Sequence, residues 1–120
     1  MLIRLKKLLF FVYFKKAVPV GICMLKIHTP SHIEVALIAV RPDCHRQGIG
    51  KKLFKEALSS MKESVPHVKY ITVKTLSPEK RDPHYLKTYE FYKALGFENF
   101  EELPELWDKN NPCLIMIKET

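Results

Sequence analysis

Two glycines one residue apart, Gly48 and Gly50, are followed by Lys51, Lys52 and Lys55. They stand between an apolar run, residues 33–40, and an amphipathic one, residues 49–61. Glycine lets a backbone approach a ligand closely. The first amides of a helix have no intrahelical partner, and the helix dipole adds partial positive charge at the same end. A strand, a polar connector, a glycine pair and a basic helix start therefore suit a phosphate group. Two common phosphate motifs fail here. A P-loop needs G-x-x-x-x-G-K-[ST], but no glycine lies five before Gly50 and no Ser or Thr follows Lys51. A dinucleotide turn needs a third glycine, and Leu53 stands in its place; the acidic residue about twenty positions on is also missing.

The elements that position this turn follow from hydrophobic patterning. Residues 8–15, 20–28 and 32–40 are rich in aromatic, β-branched and aliphatic side chains. Turn-forming segments at 16–19 and 29–31 separate them, which predicts an antiparallel meander of strands. Pro42 stops the third strand. Over residues 48–62, Ile49, Leu53, Ala57 and Met61 recur every four positions, with Phe54 and Leu58 widening the stripe. That spacing predicts a helix with this face in the core and Lys51, Lys52, Lys55 and Lys62 in solvent. A strand over 68–76, a polar loop over 77–83, a helix over 85–95 capped by Gly96, and a strand over 112–118 complete the order. The expected fold is α/β of the mixed α+β kind: β-β-β-α-β-α-β, a central mixed sheet with helices on its faces.

The chain has 120 residues, which suits a single domain over 1–120. Its formal net charge is +7, and the charge is uneven. No Asp or Glu precedes Glu34, whereas residues 98–108 are strongly acidic. A basic balance suits an anionic ligand, a nucleic acid or a membrane surface. Neither a recognition helix nor an aromatic RNA-binding strand pattern is present, so no nucleic-acid partner is expected. Residues 8–14 form an apolar run behind Arg4, Lys6 and Lys7 that faintly resembles a signal peptide. The run is too short to span a bilayer and lacks a clear cleavage site, so it reads as a strand of a cytoplasmic protein with no membrane partner. Cys23, Cys44 and Cys113 form no C-x-x-C and read as reduced thiols. Cys44-His45 has no second pair at zinc spacing, so no metal is expected.

Val40-x-Pro42, followed by Arg46-Gln47-Gly48-Ile49-Gly50-Lys51-Lys52-Leu53, resembles the acetyl-CoA-binding motif of the GNAT superfamily of N-acetyltransferases. Phe91-Tyr92-Lys93-Ala94-Leu95-Gly96-Phe97 resembles that superfamily's later motif, a helix ending in Tyr-x-x-x-Gly-Phe. The resemblance covers the chain from Leu8 onward. It implies the GNAT-like acyl-CoA N-acyltransferase fold, acetyl-CoA as the acetyl donor, and transfer to a primary amine of a small molecule or a protein. It further implies that the backbone of Ile38, Ala39 and Val40 pairs with the pantetheine arm, and that His45, Arg46, Gln47, Gly48, Ile49, Gly50 and Lys51 surround the pyrophosphate. A backbone N–H at this strand end would polarise the thioester carbonyl.

Acetyl transfer also needs a neutral amine, since an ammonium with a pKa near ~10.4 has no lone pair, and a proton for the leaving thiolate. Tyr92 lies four before Gly96, where many members carry a tyrosine near the sulfur, so the resemblance implies an acid there. The other reading is an aromatic ring packed on the sheet; Tyr85 and Tyr89 share its helix but not the motif position. Glu34 lies six before Val40, where some members place a catalytic glutamate, and it interrupts an apolar strand. It reads either as a base, acting directly or through water, or as a solvated edge residue in a salt bridge. His28 and His32 are fallback bases, because imidazole titrates near neutrality. Trp107 reads as an acceptor-pocket residue beside Glu101, Glu102 and Glu105, or as a cover over the sheet beside a solvated acidic loop.

Two departures stand out. His45 replaces the usual Gln or Arg, although Arg46 is adjacent. The strand and two helices that normally precede the meander are absent or reduced to residues 1–7. In the family that portion helps to wall the acceptor site. The chain is then a short member, a chain whose N-terminus has been lost, or one whose gap a partner subunit fills; an exposed first strand favours a homodimer. The alternative to an enzyme is a CoA-binding module with weak or no catalysis, because the acceptor wall is shortened.

Overall fold

The computed structural model describes residues 1–45, 48–78, 83–108 and 111–120, without the side chains of 84, 85, 107, 108 and 111. The described elements run β1 (Leu2–Leu5), β2 (Leu8–Lys15), β3 (Val18–Thr29), β4 (His32–Val40), α1 (Ile49–Ser64), β5 (Tyr70–Leu76), α2 (Pro83–Ala94), β6 (Glu98–Asp108) and β7 (Asn111–Glu119). The mixed α+β class matches the expectation from patterning. The expected order of strands and helices is contained in this one, with β1 before it and β6 inserted near its end. Contacts divide the chain into two compact units, Met1–Lys69 and Tyr70–Thr120.

In the first unit, β1, β2, β3 and β4 pair in sequence order, each antiparallel to the next. Alternation sets the faces. Leu9 and Phe11 on β2, Cys23 and Leu25 on β3, and Ile33 and Val35 on β4 are buried. Helix α1 packs against β2, β3 and β4. It contributes Ile49, Leu53, Phe54, Ala57 and Met61, the stripe that its four-residue spacing predicts. Leu53 and Met61 have no exposed surface, so truncating either to Ala would cost about 2–5 kcal/mol.

The N-terminal portion is a strand, and its passage to β2 is the turn Lys6-Lys7, with no helix between them. Arg4 on β1 reaches the far end of α1, where its Nη1 donates to the Ser64 carbonyl at 3.3 Å. A cation at a helix C-terminus is favourably placed against the dipole.

In the second unit, β7 pairs antiparallel with both β5 and β6, and α2 packs on β5. The acidic segment, weighed from sequence as a solvated loop, is strand β6. Its pairing with β7 slips twice, between Asn99 and Glu101 and between Leu103 and Asp108. Glu98, Glu101, Glu102 and Glu105 are exposed along it, and such charges discourage edge-to-edge association. Helix α2 ends as its motif predicts. Gly96 has φ 98°, its N–H donates to Lys93 O at 3.0 Å, and the Phe97 N–H donates to Tyr92 O at 3.0 Å. Those two bonds define a Schellman cap, which needs the left-handed residue that glycine supplies.

Candidate functional site

Strand β4 is interrupted at the point where the sequence placed the donor site. Met24 pairs with Leu37 but Leu25 pairs with Val35, so Ala36 is an extra residue in β4. Such a bulge disrupts the local ladder and re-aims the residues beyond it. Ile33 and Val35 are buried before the bulge; beyond it Ile38 and Val40 are half-buried, and Ala39 is exposed. Gly21 lies opposite Val40. A Cβ at Gly21 would come within 3.1 Å of Leu53 Cδ2 and 3.3 Å of the Ala39 carbonyl, so the glycine permits the close approach of α1 to β3. A glycine inside an apolar strand is the sequence signal for such an approach; the bulge had no comparable signal.

The chain then leaves β4 in a tight corner. The Arg41 N–H donates to Val20 O at 2.8 Å, and the Cys44 N–H to Arg41 O at 2.9 Å. Arg41 makes a two-point ion pair with Asp43, Nε to Oδ1 at 3.1 Å and Nη2 to Oδ2 at 2.8 Å. Both partners are about half exposed, so the pair shapes the corner more than it stabilises the fold. His45, the departure from the family pattern, folds back on the strand: its Nε2 lies 2.9 Å from Val40 O. The Nε2 edge of the imidazole therefore binds the strand end. Arg46 and Gln47 lie outside the described residues.

Gly48 caps α1 with φ 70° and ψ 12°, and among the described residues no side chain caps this helix end. A Cβ built on Gly48 meets nothing within 4 Å, so the left-handed conformation, not crowding, is what requires glycine here. The Lys52 N–H bonds to Gly48 O at 3.1 Å. The amides of Ile49, Gly50 and Lys51 come before the first intrahelical bond can form. No acidic residue stands in this first turn, and Lys51 and Lys52 are exposed. Ile49 is buried and anchors the turn to the core.

The two expected acid–base residues lie in different units, and each is described where it stands. Tyr92 on α2 is buried, with its ring edge-on to Phe97 at 5.5 Å and to Phe91 at 5.4 Å between centroids. Tyr89, off the motif position, donates from its hydroxyl to Asn99 Oδ1 at 3.0 Å and ties α2 to β6. Glu34 on β4 has the partner that a salt bridge requires: its Oε1 lies 2.6 Å from His28 Nε2. The His28 ring in turn stacks on His32, with centroids 4.8 Å apart and planes 17° from parallel. Burial, then the neighbouring His28, lower the His32 pKa from 6.5, and Glu34 opposes them.

Cys23 and Cys113 are buried and Cys44 is half-buried, all as free thiols. Burial pushes the Cys23 thiol up to about 12, so it stays protonated and serves as a small apolar side chain. Among the described residues, no cluster of His, Cys, Asp or Glu could hold a metal ion. No helix among them is long and apolar enough to cross a membrane. The Trp107 side chain lies outside the described residues.

Solved structures share the fold of this chain, the acyl-CoA N-acyltransferase fold. An acetyltransferase of the GNAT family from Elizabethkingia anophelis, with acetyl-CoA bound, has a TM-score of 0.78 at 16% identity, covering 95% of this chain and 77% of that one. The ribosomal-protein-S18-alanine N-acetyltransferase from Escherichia coli has a TM-score of 0.77 at 16% identity, covering 97% and 71%. The aminoglycoside 6′-N-acetyltransferase from Enterococcus faecium has a TM-score of 0.77 at 17% identity, covering 96% and 76%. No curated protein matches the chain in sequence. The acetyltransferase (GNAT) domain family matches residues 6–99. The chain belongs to that family.

Proposed function

We propose that the chain is an acetyl-CoA-dependent N-acetyltransferase that acetylates a primary amine of a small molecule or a protein. The observation that carries this reading is the start of α1: a left-handed Gly48, no capping side chain, no acid in the first turn and exposed lysines. Such an end accepts a pyrophosphate through backbone amides and dipole. The neighbour from E. anophelis holds acetyl-CoA on the same fold. Acetyl-CoA supplies an activated acetyl thioester.

The chain's own residues then have distinct tasks. His45, Arg46, Gln47, Gly48, Ile49, Gly50 and Lys51 form the pyrophosphate turn, with His45 also fixing the end of β4. The main chain of Ile38, Ala39 and Val40, re-aimed by the bulge at Ala36, takes the pantetheine arm as an added strand. A backbone N–H at this strand end stabilises the developing oxyanion. Tyr92 returns a proton to the leaving thiolate, and Glu34 serves the base side of the reaction.

A second reading is favoured by one observation. Residues Lys6-Lys7 alone join β1 to β2, where family members normally place two helices beside the acceptor. A chain without that wall would bind CoA and transfer acetyl slowly or not at all. Neighbours with this fold act on substrates as different as a ribosomal-protein alanine and an aminoglycoside, so the fold does not name the acceptor. An acceptor screen with acetyl-CoA, following free thiol release, separates the two readings. Amine-dependent release supports the enzyme; donor binding with only background hydrolysis across small amines, aminoglycosides and peptides supports the binding module.

A further inference from the structure

The hairpin β3–β4 brings four titratable residues, Lys26, His28, His32 and Glu34, onto one face. Strand alternation puts Lys26 on the face opposite buried Leu25, and puts His32 and Glu34 on the face opposite buried Ile33 and Val35; His28 is the extra residue where the register shifts between Ile27 and Thr29, and its contact with Glu34 brings it to that face. Lys26 and Glu34 are partners across the ladder. His28 Nε2 lies 2.6 Å from Glu34 Oε1. The two side chains are 31% and 14% exposed, so the pair is partly shielded yet open to a reactant.

A carboxylate only accepts hydrogen bonds, so the proton in this contact belongs to His28 Nε2. In the neutral imidazole the other ring nitrogen, Nδ1, then carries the lone pair. This is the arrangement in which a carboxylate fixes the tautomer of a histidine base and steadies the imidazolium it becomes. We propose that His28 is the general base of the acetyl transfer and that Glu34 is its positioning residue rather than the base itself. This assignment rests on the acetyltransferase reading above and deepens it.

The step balances as follows. His28 Nδ1, directly or through one water, takes one proton from the acceptor ammonium and becomes an imidazolium. The neutral amine attacks the thioester carbonyl carbon, a C–N bond forms and the C–S bond breaks. The thiolate leaves with the bonding pair and receives a proton, while the nitrogen loses its second proton in becoming the amide. His28 returns its proton to solvent, and one net proton is released per turnover.

The groups around His28 suit this role. Glu34 holds Nε2, and Lys26 shares its strand and face. His32 stacks on the ring at 4.8 Å. Burial, then His28, lower the His32 pKa, and Glu34 opposes them. Arg4, Lys6, Lys7 and His67 line the cleft of about 420 Å³ that His28 borders.

Two measurements decide the assignment. Long-range nitrogen–proton NMR on the wild-type protein reads the His28 tautomer without relying on activity. The expected result is Nε2–H with bare Nδ1; an Nδ1–H tautomer overturns the dyad even if no acceptor is ever acetylated. The second is the pH–rate profile with an accepted amine. His28→Gln should lower turnover by about 10²-fold and erase the acid limb. Glu34→Gln should lower turnover by less than His28→Gln does and should keep the limb, because the base itself is still present. Glu34→Asp should restore part of the wild-type profile. If Glu34→Gln erases the limb while His28→Gln retains it, Glu34 is the base and the proposal is wrong. If the tautomer is as expected but no amine is acetylated, the dyad stands as structure, and it is the acetyltransferase reading that fails.

Discussion

Two glycines with positive φ sit at opposite kinds of helix end, and they differ in what surrounds them. Gly96, with φ 98°, closes α2. Its own amide and that of Phe97 both return to the helix, and a Cβ there would press on Lys118 Nζ at 2.7 Å. Gly48, with φ 70°, opens α1, and among the described residues there is no side-chain cap and nothing within 4 Å of a Cβ. The same dihedral freedom is thus used once to finish a hydrogen-bond network and once to leave one open. A helix C-terminus completed in this way is structural, whereas an N-terminus left open beside lysines is a place for an anion.

Substitutions should separate the two ends. The largest effect is expected when Gly48 and Gly50 are both replaced by Val. At a donor concentration of 100 Kd, binding stabilises a protein by about 2.7 kcal/mol. Acetyl-CoA should therefore raise the wild-type melting temperature, and the double variant should lose the shift. An unchanged shift would remove the turn from the donor site. Tyr92→Phe should lower turnover by about 10²-fold with little change in CoA affinity, as read by steady-state kinetics beside a binding titration. Equal turnover would leave Tyr92 as a packing residue against Phe91 and Phe97. Gly96→Ala should cost about 1–2 kcal/mol in a denaturant titration, because an L-residue is forced into the left-handed region. CoA affinity should stay as it was; a large loss of affinity would break the contrast between the two glycines.

The smallest effects are in the pH dependence of stability. His32 has its folded pKa lowered below 6.5, so the unfolded chain binds more protons as pH falls through that value. The His32 contribution is present above about pH 6.5 and is lost below it. Because His32 is only half-buried, the loss is small. Cys23 has the opposite sign: its thiol is raised from 9.0 to about 12. That contribution is present below about pH 9 and is lost as pH rises toward 12. Melting curves should show His32→Gln flattening the acid side and Cys23→Ala the alkaline side. Slopes unchanged in both variants would contradict these assignments.

Much of this was legible in the sequence for a physical reason. The stripe Ile49, Leu53, Ala57 and Met61 has a period that only a helix satisfies, and Gly96 after the Tyr92 helix is a stop signal. The two glycines at α1 pointed to the turn because few other residues tolerate it. Other features were hidden. Strand β6 carries Glu98, Glu101, Glu102 and Glu105, and charge masked its pairing with β7. The extra residue at Ala36 depends on register with β3, which local pattern does not encode. The partnership of His28 with Glu34 is also non-local. Each residue was visible as a candidate, and only the hairpin pairing shows that they are one unit.

The central claim is that the opening of α1 and the end of β4 take the CoA donor. Amide chemical shifts of the labelled protein, followed during an acetyl-CoA titration, test it most directly. The account predicts the largest shifts at Ile38, Ala39, Val40 and at Gly48, Ile49, Gly50 and Lys51, with the Gly96 cap unmoved. Saturable shifts centred elsewhere, or none at these amides, would contradict it.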